Sequence, residues 1–120
     1  MNSNQRPLSV TILAWLYIAV GTVGFFVHLT GLNRGNVFQF DGVWIELTEL
    51  TAILCGAFVL RGHNWARWLA MAWIGLHVVL SVLEAYRGLV VHSVLFLVIA
   101  WVLFRPEAGR YFRDLAAEAT

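Results

Sequence analysis

Six residues in this chain are chemically out of place. His28, Glu46, Glu49, His77, Glu84 and His92 each stand within a long apolar run. Imidazole and carboxylate together can exchange a proton, ligate a divalent first-row metal or hold a small polar solute. Their spacing is helical. Glu46 and Glu49 are three apart, so one helix face presents both carboxylates. His77 and Glu84 are seven apart with Ser81 between them, which makes a single polar stripe. His28 follows Gly21 and Gly24 along a thin face, a geometry that brings it near a neighbouring backbone. Ionisable side chains at bilayer depth cost about 2.5–3.5 kcal/mol each on insertion scales, so they turn inward and pair.

Four apolar runs must position these groups: residues 8–32, 43–60, 65–86 and 89–104. Crossing the hydrocarbon core of about 30 Å takes about 20 helical residues, within a range of about 17–25. The first three runs fit. The fourth falls one residue short and calls for local bilayer thinning or a start nearer Gly88. Strands of a membrane barrel would alternate apolar and polar residues, which Val94–Val102 does not do. The first run far exceeds the apolar core of a signal peptide (about 7–15 residues) and no A-x-A site follows it. It reads as a retained helix with Pro7 suited to its first turn.

All eight basic residues are arginine. Arg6, Arg61, Arg67, Arg105, Arg110 and Arg113 fall on one side of the four spans, and Arg34 and Arg87 on the other. The positive-inside rule then puts both termini in the cytoplasm, with a bacterial inner membrane as the expected residence. Trp65 and Trp68 flank Arg67 at the inner interface, and Trp44 and Tyr86 stand near the outer one, as aromatic belts require. On that topology, with a rise of about 1.5 Å per residue, His28, Glu46 and His92 lie about 6 Å below the outer ends, Glu84 about 5 Å, Glu49 about 10 Å and His77 about 15 Å. All six occupy the outer half, and every helix contributes. The inner half has only the milder Cys55 and Thr11.

Composition closes off other classes. The 120 residues are 60% hydrophobic and 12% charged, against roughly 45–50% and about 25% for soluble domains. A soluble globular enzyme and a disordered segment are both excluded. A net charge of +1 provides no basic face for nucleic acid. The lack of lysine removes Schiff-base chemistry, and the single Cys55 removes an internal disulfide, a CxxC pair, covalent haem attachment and a cysteine-rich zinc site. His63, in the turn Arg61-Gly62-His63-Asn64, reads as a solvated loop residue. Trp65, Trp68 and Trp73 read as anchors of the third helix.

The expected fold is all-α: a four-helix transmembrane bundle, up-down and antiparallel, forming one membrane domain over residues 1–120. Ala52/Gly56, Ala66/Ala70 and the Gly21/Gly24 face permit close helix contact. Beyond Phe104, Arg105-Pro106-Glu107 ends the last span, and residues 105–120 form a cytoplasmic tail. Ala108, Tyr111, Phe112 and Leu115 then share one face of a short helix, expected to rest on the lipid interface with Arg110 and Arg113 beside it. The segments Arg6-Pro7-Leu8-Ser9-Val10-Thr11-Ile12, Asn64-Trp65-Ala66-Arg67-Trp68-Leu69, and Phe104-Arg105-Pro106 with Tyr111-Phe112-Arg113 resemble those of small bacterial membrane proteins with four predicted spans. Size and span count also resemble DoxX-like four-helix proteins. Neither resemblance implies an activity.

Four uses of the His/Glu cluster remain open at this point. It is a structural network that sets helix register in an accessory or packing subunit, a metal or haem b site, a site for a proton or small solute, or an intramembrane enzyme. Against a dimetal site, no HExxH or Glu-x-x-His pair occurs. For haem, His28 and His92 are the imidazoles best matched in depth. Against transport by a monomer, no polar groups continue the path inward, so a homodimer or partner membrane protein would be required beside the lipid bilayer itself. Against an enzyme, Ser81 and His77 share one helix and no third catalytic group is evident. The expectation is a non-enzymatic membrane component whose cluster binds a small solute, proton or metal.

Overall fold

A run of about twenty apolar residues can satisfy its backbone in lipid by hydrogen-bonding within itself, which selects the helix. In a computed structural model that describes residues 5–32, 40–84 and 86–120, with the side chains of 5–30, 42–83 and 88–120, the chain forms five helices. These are α1 (Leu8–Leu32), α2 (Phe40–Leu60), α3 (Asn64–Glu84), α4 (Tyr86–Phe104) and α5 (Pro106–Glu118). No strand occurs among the described residues. The first helix matches its expected bounds, while α2 and α4 each begin three residues earlier than the apolar runs suggest. The fourth helix is therefore 19 residues long rather than one short of a span.

Three helices are long and apolar enough to cross a membrane, and α4 with α5 makes a fourth if that bent pair is taken as one span. Only 22% of each qualifying window is buried within the protein. Large apolar side chains such as Trp15, Phe26, Leu83, Leu97 and Trp101 point outward, as lipid contact requires and water would penalise. This is the surface of a membrane protein.

Helix α1 packs along α2, α3 along α4 and α2 against α3, with α1 meeting α4 more sparingly. The buried apolar core lies toward α5: Val10, Ala14 and Tyr17 from α1, Ala52, Cys55 and Val59 from α2, Ala66, Ala70 and Ile74 from α3, and Ile99, Val102 and Leu103 from α4. Toward the opposite end no large apolar side chain among the described residues is fully enclosed, and the polar Ser81 is buried there.

The α2–α3 turn is tight. Gly62 adopts φ +76°, while its amide bonds the Val59 carbonyl and that of His63 bonds Phe58. This pair of bonds is the Schellman closure that a glycine permits. The His63 ring meets Phe58 edge-on at 5.1 Å and adds the apolar contact usual for that closure.

Helix α5 departs from α4 at 54°. Arg105 is extended (φ −63°, ψ 156°), the conformation a following proline enforces, and Pro106 starts the new helix where its missing N–H costs nothing. The apolar face expected on α5 exists, but it does not rest on lipid. Ala108, Tyr111 and Phe112 are buried against the other helices, and Leu115 meets Gly62. The floor of the helix assembly offers that face a ready-made apolar partner, so the amphipathic helix folds back. The Leu60 carbonyl at the end of α2, which has no helical partner, accepts from Arg6 Nη1 (2.6 Å) and Tyr111 Oη (3.2 Å). Arg105 Nη2 donates to Ser9 Oγ at 2.5 Å.

Candidate functional site

The thin face of α1 decides where Glu49 goes. A β-carbon at Gly24 would lie 2.5 and 2.6 Å from the two Glu49 carboxylate oxygens, so the carboxylate fills the notch that glycine leaves. One turn further along α1, His28 Nδ1 stands 3.8 Å from Glu49 Oε1. That is an ion-pair separation, too long for a hydrogen bond. The pair is uneven in exposure, 44% for the His28 side chain and 13% for Glu49. Glu46 lies on the same face of α2 and interacts electrostatically with Glu49, as does His77 from α3.

Three carboxylate oxygens are left without donors. Both oxygens of Glu46 and Oε2 of Glu49 are buried and have no hydrogen-bond partner among the described residues. An ionised carboxylate removed from water without donors or a counter-charge is expensive. This is the unusual feature of the site.

The histidines of α3 and α4 are, by contrast, well tied. His77 Nδ1 is 2.9 Å from the Trp73 carbonyl. A carbonyl only accepts, so Nδ1 carries the proton in the neutral ring and Nε2 keeps its lone pair. Ser81 Oγ donates to the His77 carbonyl at 2.7 Å and lies 2.6 Å from His92 Nδ1. With the single hydroxyl proton on the carbonyl, His92 Nδ1 is the donor, which in the neutral tautomer leaves Nε2 with its lone pair. The two rings are 5.9 Å apart between centroids. Gly88 leaves space here, since a β-carbon at that position would lie 3.2 Å from Ser81 Oγ and 3.4 Å from His92 Nδ1.

An aromatic floor bounds the cluster on the core side. Trp73 stacks on His77 with centroids 4.0 Å apart, and its Nε1 donates to the Thr48 carbonyl of α2 at 2.8 Å. Tyr17 packs on Trp73 at 5.3 Å and donates to the Ala70 carbonyl at 2.9 Å. Trp73 thus differs from Trp65 and Trp68. Those two are exposed at the other end of α3, whereas Trp73 points inward and joins α2 to α3.

No protein-family model matches this chain, and no curated protein or solved structure matches it. The site is therefore read from its own geometry.

Five of the six sequence-predicted residues come together in two joined groups. His28, Glu46 and Glu49 form one; His77, which interacts electrostatically with Glu49, and its ring neighbour His92 form the other. The side chain of Glu84 lies outside the described residues, as do those of Arg34 and Arg87. Among the described residues no three His, Cys, Asp or Glu side chains converge on one point as a metal would require. The histidine pairing expected for haem is not the one formed: His28 faces Glu49, and the ring neighbour of His92 is His77. Tyr17 and Trp73 are the residues that sequence reasoning missed as parts of the site. The only signal for Trp73 was its i, i+4 relation to His77; Tyr17 carried none.

Proposed function

We propose that this chain is a four-span, up-down bundle of a bacterial inner membrane with both termini cytoplasmic, and that its outer-side cluster binds a proton or a small organic cation. It acts as a binding component, not as an enzyme. The observation that carries this reading is the set of three buried carboxylate oxygens without donors on Glu46 and Glu49. Such oxygens need a proton or a cation to be tolerated at membrane depth. His28, half-exposed beside Glu49, stands where a group exchanging protons with the outside should be. The fully enclosed side chains of Val10, Cys55, Leu103 and Phe112 toward the other end favour binding over conduction.

The test is chemical. Dicyclohexylcarbodiimide enters apolar surroundings and adds to protonated carboxyl groups. Applied to the protein in neutral detergent, it should label Glu46 or Glu49, less so as pH rises, and tetramethylammonium or guanidinium should protect. Labelling should fall in Glu49→Gln. Absence of labelling at either residue across the pH range, or labelling indifferent to both pH and cations, overturns the proposal. A second reading, an accessory subunit whose polar network only sets helix register, is favoured by the Ser81–His92 bond, which ties α3 to α4. It predicts that Glu49→Gln leaves the protein unaltered while Ser81→Ala loosens it.

A further inference from the structure

At the opposite end of the molecule a cation stands without an anion in ion-pair reach among the described residues. Arg67, on the first turn of α3, has its guanidinium carbon 4.8 Å from the centroid of Phe104 and 5.4 Å from that of Phe112. Its Nε is buried with no hydrogen-bond partner among the described residues. Arg113 of α5 is near enough to interact with it electrostatically, and the interaction is repulsive. Arg113 lies back along its helix, with Nη1 3.2 Å from the place a β-carbon would take at Gly109. Glu107 does not neutralise the pair, because it is taken by Arg105 at 3.3 Å. No carboxylate comes within ion-pair distance of Arg67 or Arg113 among the described residues; Asp114, beside Arg113 in sequence, makes no such contact.

A guanidinium held between two aromatic rings with an unmet buried donor, and a second arginine next to one of those rings in sequence, form a receptor for an oxyanion. Guanidinium groups match phosphate geometry and tolerate partial desolvation better than ammonium groups do. The level is that of a headgroup. Trp65 and Trp68 are exposed beside Arg67, and Trp68 rests on Phe104 at 4.8 Å, which is the arrangement of an aromatic belt. We infer that Arg67 and Arg113 form a phosphate-binding site at the α3–α5 junction, occupied by the headgroup of an anionic phospholipid. The fold itself makes the site, since only the return of α5 against α3 brings Arg113 to Arg67. This inference is independent of the Glu46/Glu49 proposal.

The experiment titrates the full chain, in neutral detergent, with phosphatidylglycerol or phosphatidylcholine and counts bound lipid by native mass spectrometry. Phosphatidylglycerol should bind more tightly. Each of Arg113→Gln and Arg67→Gln should weaken it about fivefold, the share expected of one arginine near a charged interface, with phosphatidylcholine unaffected. Arg113 is exposed, so its variant tests the site even if Arg67→Gln does not fold. Inorganic phosphate forms the second arm. If it competes with phosphatidylglycerol only weakly, the lipid is the ligand. If phosphate alone binds as tightly and Arg113→Gln abolishes it, the site stands and the free anion is its source. Equal binding of the two lipids by the parent protein, or an Arg113→Gln variant that binds phosphatidylglycerol as tightly as the parent, overturns the inference.

Discussion

A single methyl group placed at three glycines should separate the α1–α2 seam from the site it carries. At Gly21 a new β-carbon would lie 2.6 Å from the Glu49 backbone oxygen and 3.0 Å from the Ile53 amide nitrogen. At Gly56 it would overlap the Ala14 carbonyl and reach 2.6 Å from Ile18 Cγ1. Backbone atoms cannot swing away, so ordinary contact near 3.4 Å requires the helices themselves to part. A gap of 0.5–1 Å forfeits roughly a quarter to a half of each dispersion well along the seam. Overpacking of this kind costs about 1–3 kcal/mol, of which alanine's better helix propensity returns up to about 1 kcal/mol. At Gly24 the obstacle is the carboxylate end of Glu49, which can rotate out of the notch. Thermal unfolding in detergent, followed by tryptophan fluorescence, should therefore show Gly21→Ala and Gly56→Ala melting several degrees lower. Gly24→Ala should melt close to the parent protein but displace Glu49 and change carbodiimide labelling. A Gly24→Ala variant as unstable as Gly21→Ala would mean that the carboxylate does not occupy the notch. Parental stability in both Gly21→Ala and Gly56→Ala would refute the seam.

Other outcomes follow from the same contacts. Phe112→Ala removes a fully enclosed ring and should cost about 3–5 kcal/mol, read as a lower melting temperature together with faster proteolysis of α5. With Cys55 replaced, a cysteine introduced by Asn36→Cys should be labelled by a membrane-impermeant maleimide from outside intact cells; protection there reverses the proposed orientation. Purified protein should show no Soret band, and chelation should leave its melting unchanged. Stoichiometric metal or haem that disappears in His77→Ala would instead make the histidine pair a cofactor site.

The legibility of this chain depends on whether the two sides of a helix differ in polarity. In α5 they do, and Ala108, Tyr111, Phe112 and Leu115 are found on one face as their spacing predicts. The spacing could not reveal what covers that face, because lipid and the floor of the helix assembly are equally apolar. Within α1 to α4 the lipid side and the core side are both apolar, so periodicity cannot say that Trp73 turns inward while Trp68 turns out. The polar residues escaped this ambiguity. Their cost in lipid made His28, Glu46, Glu49, His77 and His92 visible, and glycine spacing foretold a close helix approach on the Gly21/Gly24 face without naming its partner. Individual partners were beyond that logic: Ser81 to His92, and Glu49 to the notch at Gly24, depend on helix rotation about axes that apolar runs do not specify.

The two donors at the Leu60 carbonyl also imply an order of assembly. Arg6 lies 54 residues before that carbonyl and Tyr111 lies 51 residues after it. An α1–α2 hairpin alone already brings Arg6 to Leu60 and closes the glycine seam, so it can settle before α3 exists. Tyr111 can join only after two more helices have been threaded and α5 has folded back. The second bond therefore marks completion: a chain interrupted between α2 and α5 retains a capped hairpin but exposes the apolar floor that Phe112 should seal. Quality-control factors that recognise exposed apolar surface would have that floor to detect until the last helix docks.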